Sequence, residues 1–437
     1  MRDLFVISLV LAASLAALKR PWVGVLAWAW VSLMNPHRFS WGFAYDFPVA
    51  MLIAVCTLLG MLFHSKELQK VPLNGATLSW LLFLLWLNLA APFSINLTHV
   101  FPAWEKIIKI MVMLFFTMAL IVEKRQIQAL IWVVGLSIGL LGLKGGIFTV
   151  IGGGGDRVWG PPGSFIEGNN EVGLAFVVIV PLLYYLFEQA KDPRIRWGVA
   201  GMVLACVIAA LGTHSRGALL ATAAMAALLW IKSPKKVATG LVIAILVPVI
   251  YSFMPAEWHD RMSTIGSYEQ DSSAMGRINA WQMAFNIAND NFFGGGLDIY
   301  TADIYYKYAP IPDIVRAAHS IYFQILGELG WIGLLLFLCI WFFTWRLATR
   351  LINLSKDQRE LLWITSFARM AQVSLVGFAV GGAFLSLAYF DLPYYLIVIM
   401  AVMERWLKLH GYVSSSPAWQ RSDSQRLKRK TREIAGR

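Results

Sequence analysis

Long apolar segments alternate with short polar loops along almost the whole chain. Thirteen segments are recognisable, at residues 4–18, 21–34, 48–63, 77–91, 103–121, 127–151, 171–187, 197–213, 217–231, 237–254, 320–345, 363–388 and 392–407. An apolar α-helix of roughly 20 residues crosses a bilayer and satisfies its own backbone hydrogen bonds there. The pattern therefore predicts an all-α polytopic membrane protein with about 12–13 transmembrane helices, the lower number applying if the first two segments form a hairpin.

The cationic loops give the orientation of these helices, because Lys and Arg accumulate on the cytoplasmic side of a membrane. They lie at residues 19–20, 66–70, 123–125, 191–196, 232–236 and 346–359 and in the carboxy-terminal tail. All of them fall on one side if the thirteen segments alternate. We therefore predict that this side, with the carboxy terminus, is cytoplasmic.

The opposite face receives loops 35–47 and 152–170, the corner formed by residues 214–216, and a long loop at residues 255–318. The long loop has 64 residues, ten aromatics and a net charge of −4. It is expected to be mainly helical, with one short amphipathic helix that begins near Ser272 and places Ile278, Trp281 and Phe285 near one face. The predicted organisation is ten helices in 1–254, this loop at 255–318, three helices in 319–409, and a basic tail at 410–437.

Composition supports this interpretation. Hydrophobic residues make up 58% of the chain and charged residues only 14%, against roughly 25% charged residues in soluble proteins. The net charge is +12, of which residues 404–437 contribute +6. A basic tail beside a membrane favours anionic lipid as its partner, rather than nucleic acid. The cysteines Cys56, Cys206 and Cys339 lie in apolar segments and form no metal-binding or disulfide pattern.

Arginines on the cation-poor face are the first candidates for chemistry. Arg216 stands at the start of a predicted helix, beside His214, where free backbone N–H groups and a guanidinium fork suit phosphate. Arg277 lies in the first turn of the predicted loop helix, and Arg261 is a third cation in the same loop. The alternatives are an arginine that snorkels to the interface and, for Arg277, an ordinary surface salt bridge.

His319 stands immediately before the segment 320–345. A helix amino terminus disfavours imidazolium, and a neutral imidazole can accept a proton, so this residue is the candidate general base. A hydrogen-bonded interfacial histidine is the alternative. Glu328 and Lys144 are charged residues inside apolar segments, which are costly there and need partners, either structural or in a site.

A metal site is weakly supported. The triplet Glu269-Gln270-Asp271 has acidic residues at alternate positions, but it stands alone in an acidic loop. The glycine runs at residues 152–155 and 294–296 lack the strand–loop–helix context of nucleotide-binding motifs. We predict neither a metal nor a cofactor.

The same residues carry a family resemblance. Three motifs occur in order: Ser215-Arg216-Gly217, then Gly276-Arg277 with Trp281, then His319-Ser320 leading into Glu328-Leu329-Gly330-Trp331-Ile332-Gly333. In this topology the chain resembles the O-antigen ligase/polymerase superfamily of bacterial membrane glycosyltransferases. The stretches at residues 32–38, 144–148 and 160–170 extend the likeness to the O-glycosylation ligases associated with exosortase A systems. Ser320 stands where many relatives have Asn.

The resemblance implies an enzyme of the bacterial inner membrane with its active site in the periplasm. The donor would be a glycan on undecaprenyl pyrophosphate and the acceptor a hydroxyl of protein Ser or Thr, of a glycan or of a lipid. His319 would be the base, and Arg216, Arg277 and Arg261 would stabilise the leaving pyrophosphate without a metal. Glu328, His214, Lys144 and Trp281 would support the site.

Two other functions are compatible with the sequence. A polymerase, whose acceptor is another lipid-linked repeat, would share the donor, the fold and the catalytic residues. A transporter of lipid-linked glycans would bring charged or broken segments together near the bilayer midplane. Here the polar cluster lies at one face under the 64-residue loop, which favours an enzyme, while Glu328 and Lys144 keep transport open.

Overall fold

The computed structural model describes residues 1–233, 235–263 and 272–413, and within these ranges the chain is helical with no strand. The helices are α1 (Arg2–Lys19), α2 (Pro21–Met34), α3 (Val49–Phe63), α4 (Gly75–Ala90), α5 (Leu97–Leu120), α6 (Lys124–Ile151), α7 (Asn169–Gln189), α8 (Pro193–Gly212), α9 (Arg216–Lys232), α10 (Lys236–Phe253), α11 (Ala256–Ser263), α12 (Ser272–Asp290), α13 (Ala302–Tyr308), α14 (Ile321–Ser355), α15 (Leu362–Gly382) and α16 (Asp391–Leu409).

The all-α membrane fold predicted from the sequence is confirmed, and each of the thirteen apolar segments contains a helix. Six helical spans in the described ranges are long and apolar enough to cross a membrane: α6, α7, α8, α14, α4 with the turn that follows it (Gly75–Phe93), and α15 with the turn that precedes it (Arg359–Gly382). The apolar helices α2 and α3 are shorter than that limit. The total of 12–13 transmembrane helices stays a prediction.

Side-chain caps define several of the helix starts. The Asn74 side chain accepts hydrogen bonds from the backbone N–H groups of Ala76 and Thr77, and the Asn74 backbone N–H donates to Thr77 Oγ1 at 2.9 Å, which closes a capping box at α4. At α8 the Asp192 side chain accepts from the backbone N–H of Arg194, and at α9 the Ser215 side chain accepts from that of Ala218. These residues satisfy backbone donors that the first turn of a helix leaves without partners, so they place the helix starts in the sequence.

Glycines on α6 allow α8 to pack closely against it. A Cβ atom on Gly142 would lie 2.2 Å from Cys206 Sγ, and one on Gly146 would lie 2.5 Å from the carbonyl oxygen of Ala205. In a bilayer, helices associate through close van der Waals packing rather than by escaping water, so small residues mark their interfaces. Cys206 is buried at this interface and is thus a packing residue.

Helix α16 forms the centre of the bundle. Every residue from Asp391 to Leu407 is buried, and the helix packs against α2, α4, α5, α6, α14 and α15. Glu404, near its end, is paired with Arg350 and Lys408, each at 3.4 Å. The polar groups of this central helix therefore lie near its ends, while its middle is apolar.

Helix α14 is broken at Gly330, which has φ 68° and ψ −171°. The break turns backbone carbonyls away from the helix. Gly295 N–H donates to the carbonyl of Gly327 at 2.8 Å and Gly296 N–H to that of Glu328 at 2.9 Å. Trp86 Nε1 donates to the carbonyl of Leu329 at 2.9 Å. The first part of α14 is thus a short separate helix that begins just after His319.

The long loop at residues 255–318 holds α11, α12 and α13, so it is mainly helical where it is described. Asn279 of α12 fastens the segment that returns to the membrane, because its side chain bonds the backbone N–H and carbonyl of Ile311, both at 2.9 Å. The hydroxyl of Tyr305 donates to the carbonyl of Arg316. These contacts fix the chain that leads into His319.

Candidate active site

The starts of α7 and α9 meet at one face of the bundle, called the site face below. The side chain of Asn169 donates from Nδ2 to the carbonyl of Thr213 at 2.7 Å, just before α9. A Cβ on Gly173 would lie 2.7 Å from Thr213 Oγ1 and 3.1 Å from Ala218 Cβ. His319, at the start of α14, faces the first turn of α7. Helix amino termini carry partial positive charge, so this face suits an anion.

Arg216 is the first residue of α9 and is partly buried. The N-cap Ser215 accepts a hydrogen bond from Ala218 N–H at 3.2 Å, and Gly217 packs against Phe384. The corner is therefore held on both sides of the arginine.

His214 fixes the corner at residues 214–216 through a contact with the 152–168 loop. It is buried, its φ is +54°, and its Nε2 lies 2.8 Å from the carbonyl oxygen of Gly154. A carbonyl only accepts hydrogen bonds, so Nε2 carries the proton. His214 therefore ties the 152–168 loop to the start of α9.

His319 is held in an uncommon backbone conformation, with φ +44°. The indole of Trp281 donates to the carbonyl of Ala318 at 2.7 Å and stacks on Phe323, with the ring centroids 4.9 Å apart. Ala318 and Ser320, the residues on either side of His319, are buried, while the imidazole of His319 is 33% exposed. The surrounding packing thus presents a partly accessible ring at a fixed position.

Three charged groups surround that ring: Glu171 from α7, Arg277 from α12, and Arg316 from the segment before α14. His319 Nδ1 lies 3.9 Å from Glu171 Oε1. Burial, followed by the charges of Arg277 and Arg316, lowers the pKa of His319 to about 4. The imidazole is therefore neutral at physiological pH, the form that has a lone pair to accept a proton.

Arg277 interacts electrostatically with both His319 and Glu171. Gly276, the residue before it, leaves room for the side chain of Arg316, because a Cβ there would lie 2.7 Å from Arg316 Cδ. The Gly276-Arg277 motif thus places two guanidinium groups beside one histidine.

The other predicted site residues lie apart from this cluster or outside the description. Glu328 is buried, accepts hydrogen bonds from Tyr389 (2.6 Å) and Gln324 (3.3 Å), and stands next to the break in α14. The ammonium of Lys144 lies over the ring of Phe39, 4.3 Å from its centroid. Both contacts favour structural roles. Arg261 belongs to α11, but its side chain lies outside the described part of the chain.

Glu171 and Arg316 are members of the cluster that the sequence did not point out. An acidic residue in the first turn of a helix is common, because it complements the helix dipole, so Glu171 gave no distinct signal. Arg316 was one of four cations in the long loop. Its position three residues before His319 was the available clue.

Across the described ranges, no group of three or more His, Cys, Asp and Glu side chains is arranged to hold a metal ion. The triplet at residues 269–271 and the basic tail from residue 414 onward lie outside the described residues. The cluster that is described offers guanidinium groups for an anion and a neutral imidazole for a proton, a combination suited to group transfer with an anionic leaving group.

Residues 200–338 match the family model described as O-antigen ligase. Residues 1–191 match a second model, described as a family of unknown function (DUF5935). No protein of curated function matches the chain. The first match contains Arg216, Arg277 and His319, and the second contains Glu171. The cluster around His319 is therefore assembled from both matched regions.

Proposed function

Because this chain belongs to the O-antigen ligase superfamily, we propose that it is an inverting glycosyltransferase that moves a glycan from undecaprenyl pyrophosphate to an acceptor hydroxyl. The chain is a multi-pass membrane protein with a ligase- or polymerase-type glycosyltransferase domain.

One observation carries the proposal: a neutral, partly exposed His319 stands beside Arg277 within the O-antigen ligase match. A lipid-linked pyrophosphate needs positive charge at the bond that breaks, and a hydroxyl acceptor needs a base. His319 and Arg277 meet these two needs at one membrane face.

In the proposed reaction, Nε2 of His319 takes the proton from the acceptor hydroxyl. The acceptor oxygen forms a bond to the anomeric carbon from the side opposite the pyrophosphate. The bond from that carbon to the pyrophosphate oxygen breaks, and its electron pair leaves with undecaprenyl pyrophosphate. The configuration at the anomeric carbon is therefore inverted. The released pyrophosphate or water then takes the proton from the imidazolium.

Arg216 and Arg277, with Arg261, stabilise the pyrophosphate as its charge develops. Guanidinium groups present two N–H donors to phosphate in a fixed fork, and they supply the charge for which other glycosyltransferases use a divalent ion. We therefore propose a metal-independent reaction. Transfer measured in EDTA should equal transfer in buffer alone. Loss of activity in EDTA that Mg²⁺ or Mn²⁺ restores would disprove this part.

The site face is proposed to be periplasmic, in the bacterial inner membrane, with the tail in the cytoplasm beside anionic lipid. The Lys/Arg-rich loops lie at residues 66–70 and 191–196, at the opposite ends of α3 and α7 from the site face, and they support this orientation. Protein Ser or Thr is the proposed acceptor. This choice of acceptor rests on the resemblance to O-glycosylation ligases.

The testing experiment profiles lipid-linked glycans and glycoproteins by mass spectrometry in cells that carry the wild type or His319→Ala. Multi-repeat glycan that accumulates on undecaprenyl pyrophosphate while glycoproteins vanish supports the ligase. Single repeats that accumulate while long chains vanish would replace the ligase with a polymerase. The matched control is His64→Ala, a histidine after α3 whose ring contacts the Gly60 carbonyl; it should behave as wild type.

An unchanged profile in His319→Ala, with the protein present in the membrane, would overturn the catalytic assignment and favour transport. Transport is the weaker alternative because Glu328 and Lys144, the charged groups inside apolar helices, have local partners in Tyr389 and Phe39.

A further inference from the structure

We infer that Glu171 is the positioning residue for His319, so that the region matched by the family of unknown function completes the active site. This inference rests on the proposed function, in which His319 is the base. It assigns a role to a residue outside the O-antigen ligase match, and it links two parts of the chain that are far apart in sequence.

Glu171 and His319 lie almost within hydrogen-bond distance. Glu171 Oε1 lies 3.9 Å from His319 Nδ1, which is buried and has no hydrogen-bond partner among the described residues. The Glu171 side chain is only 19% exposed. A hydrogen bond needs about 2.7–3.2 Å, so a shift of roughly 1 Å closes the pair. Catalytic hydrogen bonds are often long in unliganded sites and shorten when substrate binds.

Glu171 is held where this closure is possible. A Cβ on Gly168 would lie 2.1 Å from Glu171 Oε2, so only a glycine lets the carboxylate fold back over the start of α7. Asn169 fastens the same turn to the carbonyl of Thr213. Glu171 therefore belongs to a turn that is anchored on the corner containing Arg216.

The pair would act through the tautomer of the imidazole. When Nδ1 carries the proton and donates it to Glu171, Nε2 has a free lone pair that faces the acceptor. The carboxylate also stabilises the imidazolium that forms when Nε2 takes the acceptor proton. Without Glu171 the ring would be free to present either nitrogen, and its cationic form would face only arginines.

Through Arg277, binding of the donor would change the electrostatic environment of Glu171 and His319. In the unliganded protein the charge of Arg277 attracts Glu171 and repels a proton on His319. When a pyrophosphate neutralises Arg277, both effects weaken, and Glu171 can turn to His319. The base therefore becomes stronger when the donor is in place. The charged groups facing His319 are Glu171 on α7, Arg277 on α12 and Arg316 before α14.

The first test needs no turnover. NMR of the protein with ¹⁵N-labelled histidine, in detergent, follows the titration of His319, which His319→Gln assigns among the seven histidines. Inorganic pyrophosphate is the probe. In the wild type it should move the pKa of His319 upward by about 1 unit or more, toward the ordinary value near 6.5. In Glu171→Gln this rise should be smaller. Equal titrations in both proteins would overturn the inference.

The second test measures transfer rates against pH. Glu171→Gln should lower kcat by roughly 10- to 100-fold with little change in KM, and Glu171→Asp should recover part of the loss. Glu188→Gln is the matched control, since Glu188 lies at the other end of α7 and bonds Ser366. It should be unaffected. A wild-type pH profile in Glu171→Gln would count against the inference.

Separate outcomes test the base and its positioning residue. A fully active His319→Ala would refute the proposed base, whatever Glu171 does. An inactive His319→Ala together with a wild-type rate and titration in Glu171→Gln would refute the positioning role alone.

Discussion

The indole Nε1 of Trp281 donates a hydrogen bond of 2.7 Å to the carbonyl oxygen of Ala318, the residue before His319. The same indole stacks on Phe323, with 6° between the rings. Trp281 thus contacts the backbone before His319 and a side chain after it. It holds a turn whose backbone, at φ +44°, is uncommon for a residue other than glycine.

Trp281→Phe should keep part of the stacking and lose the hydrogen bond. We expect a stability loss of about 1 kcal/mol and a fall in transfer of roughly tenfold, because the turn can then relax. Trp331→Phe is the control, since it loses a similar bond, Nε1 to Asn289 Oδ1 at 3.1 Å, away from His319. Thermal unfolding and transfer rates are the measurements. Equal transfer rates in the two variants would contradict the prediction.

Gly330→Ala should destabilise the protein by about 1–3 kcal/mol. Its φ of 68° with ψ −171° is open almost only to glycine, and a Cβ there would lie 2.8 Å from the carbonyl oxygen of Phe292. Gly198→Ala in α8 is the control, because a Cβ there meets nothing within 4 Å. Thermal unfolding in detergent should show a lower Tm only for Gly330→Ala, and equal values would argue against a required break.

Arg216→Lys keeps the charge at the start of α9 but loses the guanidinium fork. We expect the KM for the lipid-linked donor to rise about tenfold, the equivalent of one strong hydrogen bond. Arg157→Lys, at an exposed arginine in the 152–168 loop, should leave the KM unchanged. The measurement is transfer as a function of donor concentration. A wild-type KM in Arg216→Lys would remove this arginine from the pyrophosphate site.

The pH dependence of stability follows from two histidines. Burial and the charge of Arg38 lower the pKa of His37 to about 4, and that of His319 is also about 4. Since the ordinary value is about 6.5, the unfolded chain binds more protons between these values, and stability falls as the pH drops from about 6.5 to 4.

The measurement is Tm against pH, for the wild type and for the double variant His37→Gln, His319→Gln. The variant should have a shallower slope over this range, because glutamine does not titrate. An identical slope in the two proteins would show that these histidines do not contribute.

Much of the fold could be predicted because each helix is marked locally. Apolar length marks α4 and α6, and the polar corner at Ser215 marks the start of α9. The end of α15 was wrong: the apolar segment 363–388 predicted a longer helix, but α15 ends at Gly382 and a turn follows. Apolar residues in that turn are buried, and burial does not distinguish helix from turn in a sequence.

The break in α14 was beyond sequence reasoning. A single glycine in an apolar run indicates a helix as readily as a break, and the break at Gly330 needs the N–H groups of Gly295 and Gly296 to bond the exposed carbonyls. The proximity of Glu171 to His319 depends on packing between α7 and the start of α14. Local sequence patterns do not predict such a contact between distant segments. The placement of Arg216 and His319 at helix starts was visible, since helix starts are local features.

The burial of α16 has a consequence for how the protein is made. A ribosome delivers this helix after α2, α4, α5, α6, α14 and α15, the helices that surround it. Until α16 is inserted, the surrounding helices cannot pack against it. Its buried polar residues Asp391, Glu404 and Arg405 then lack the contacts that they have in the folded protein. We expect assembly to be completed by insertion of α16 between helices already in the bilayer, and chains stalled before it to be substrates for membrane proteases.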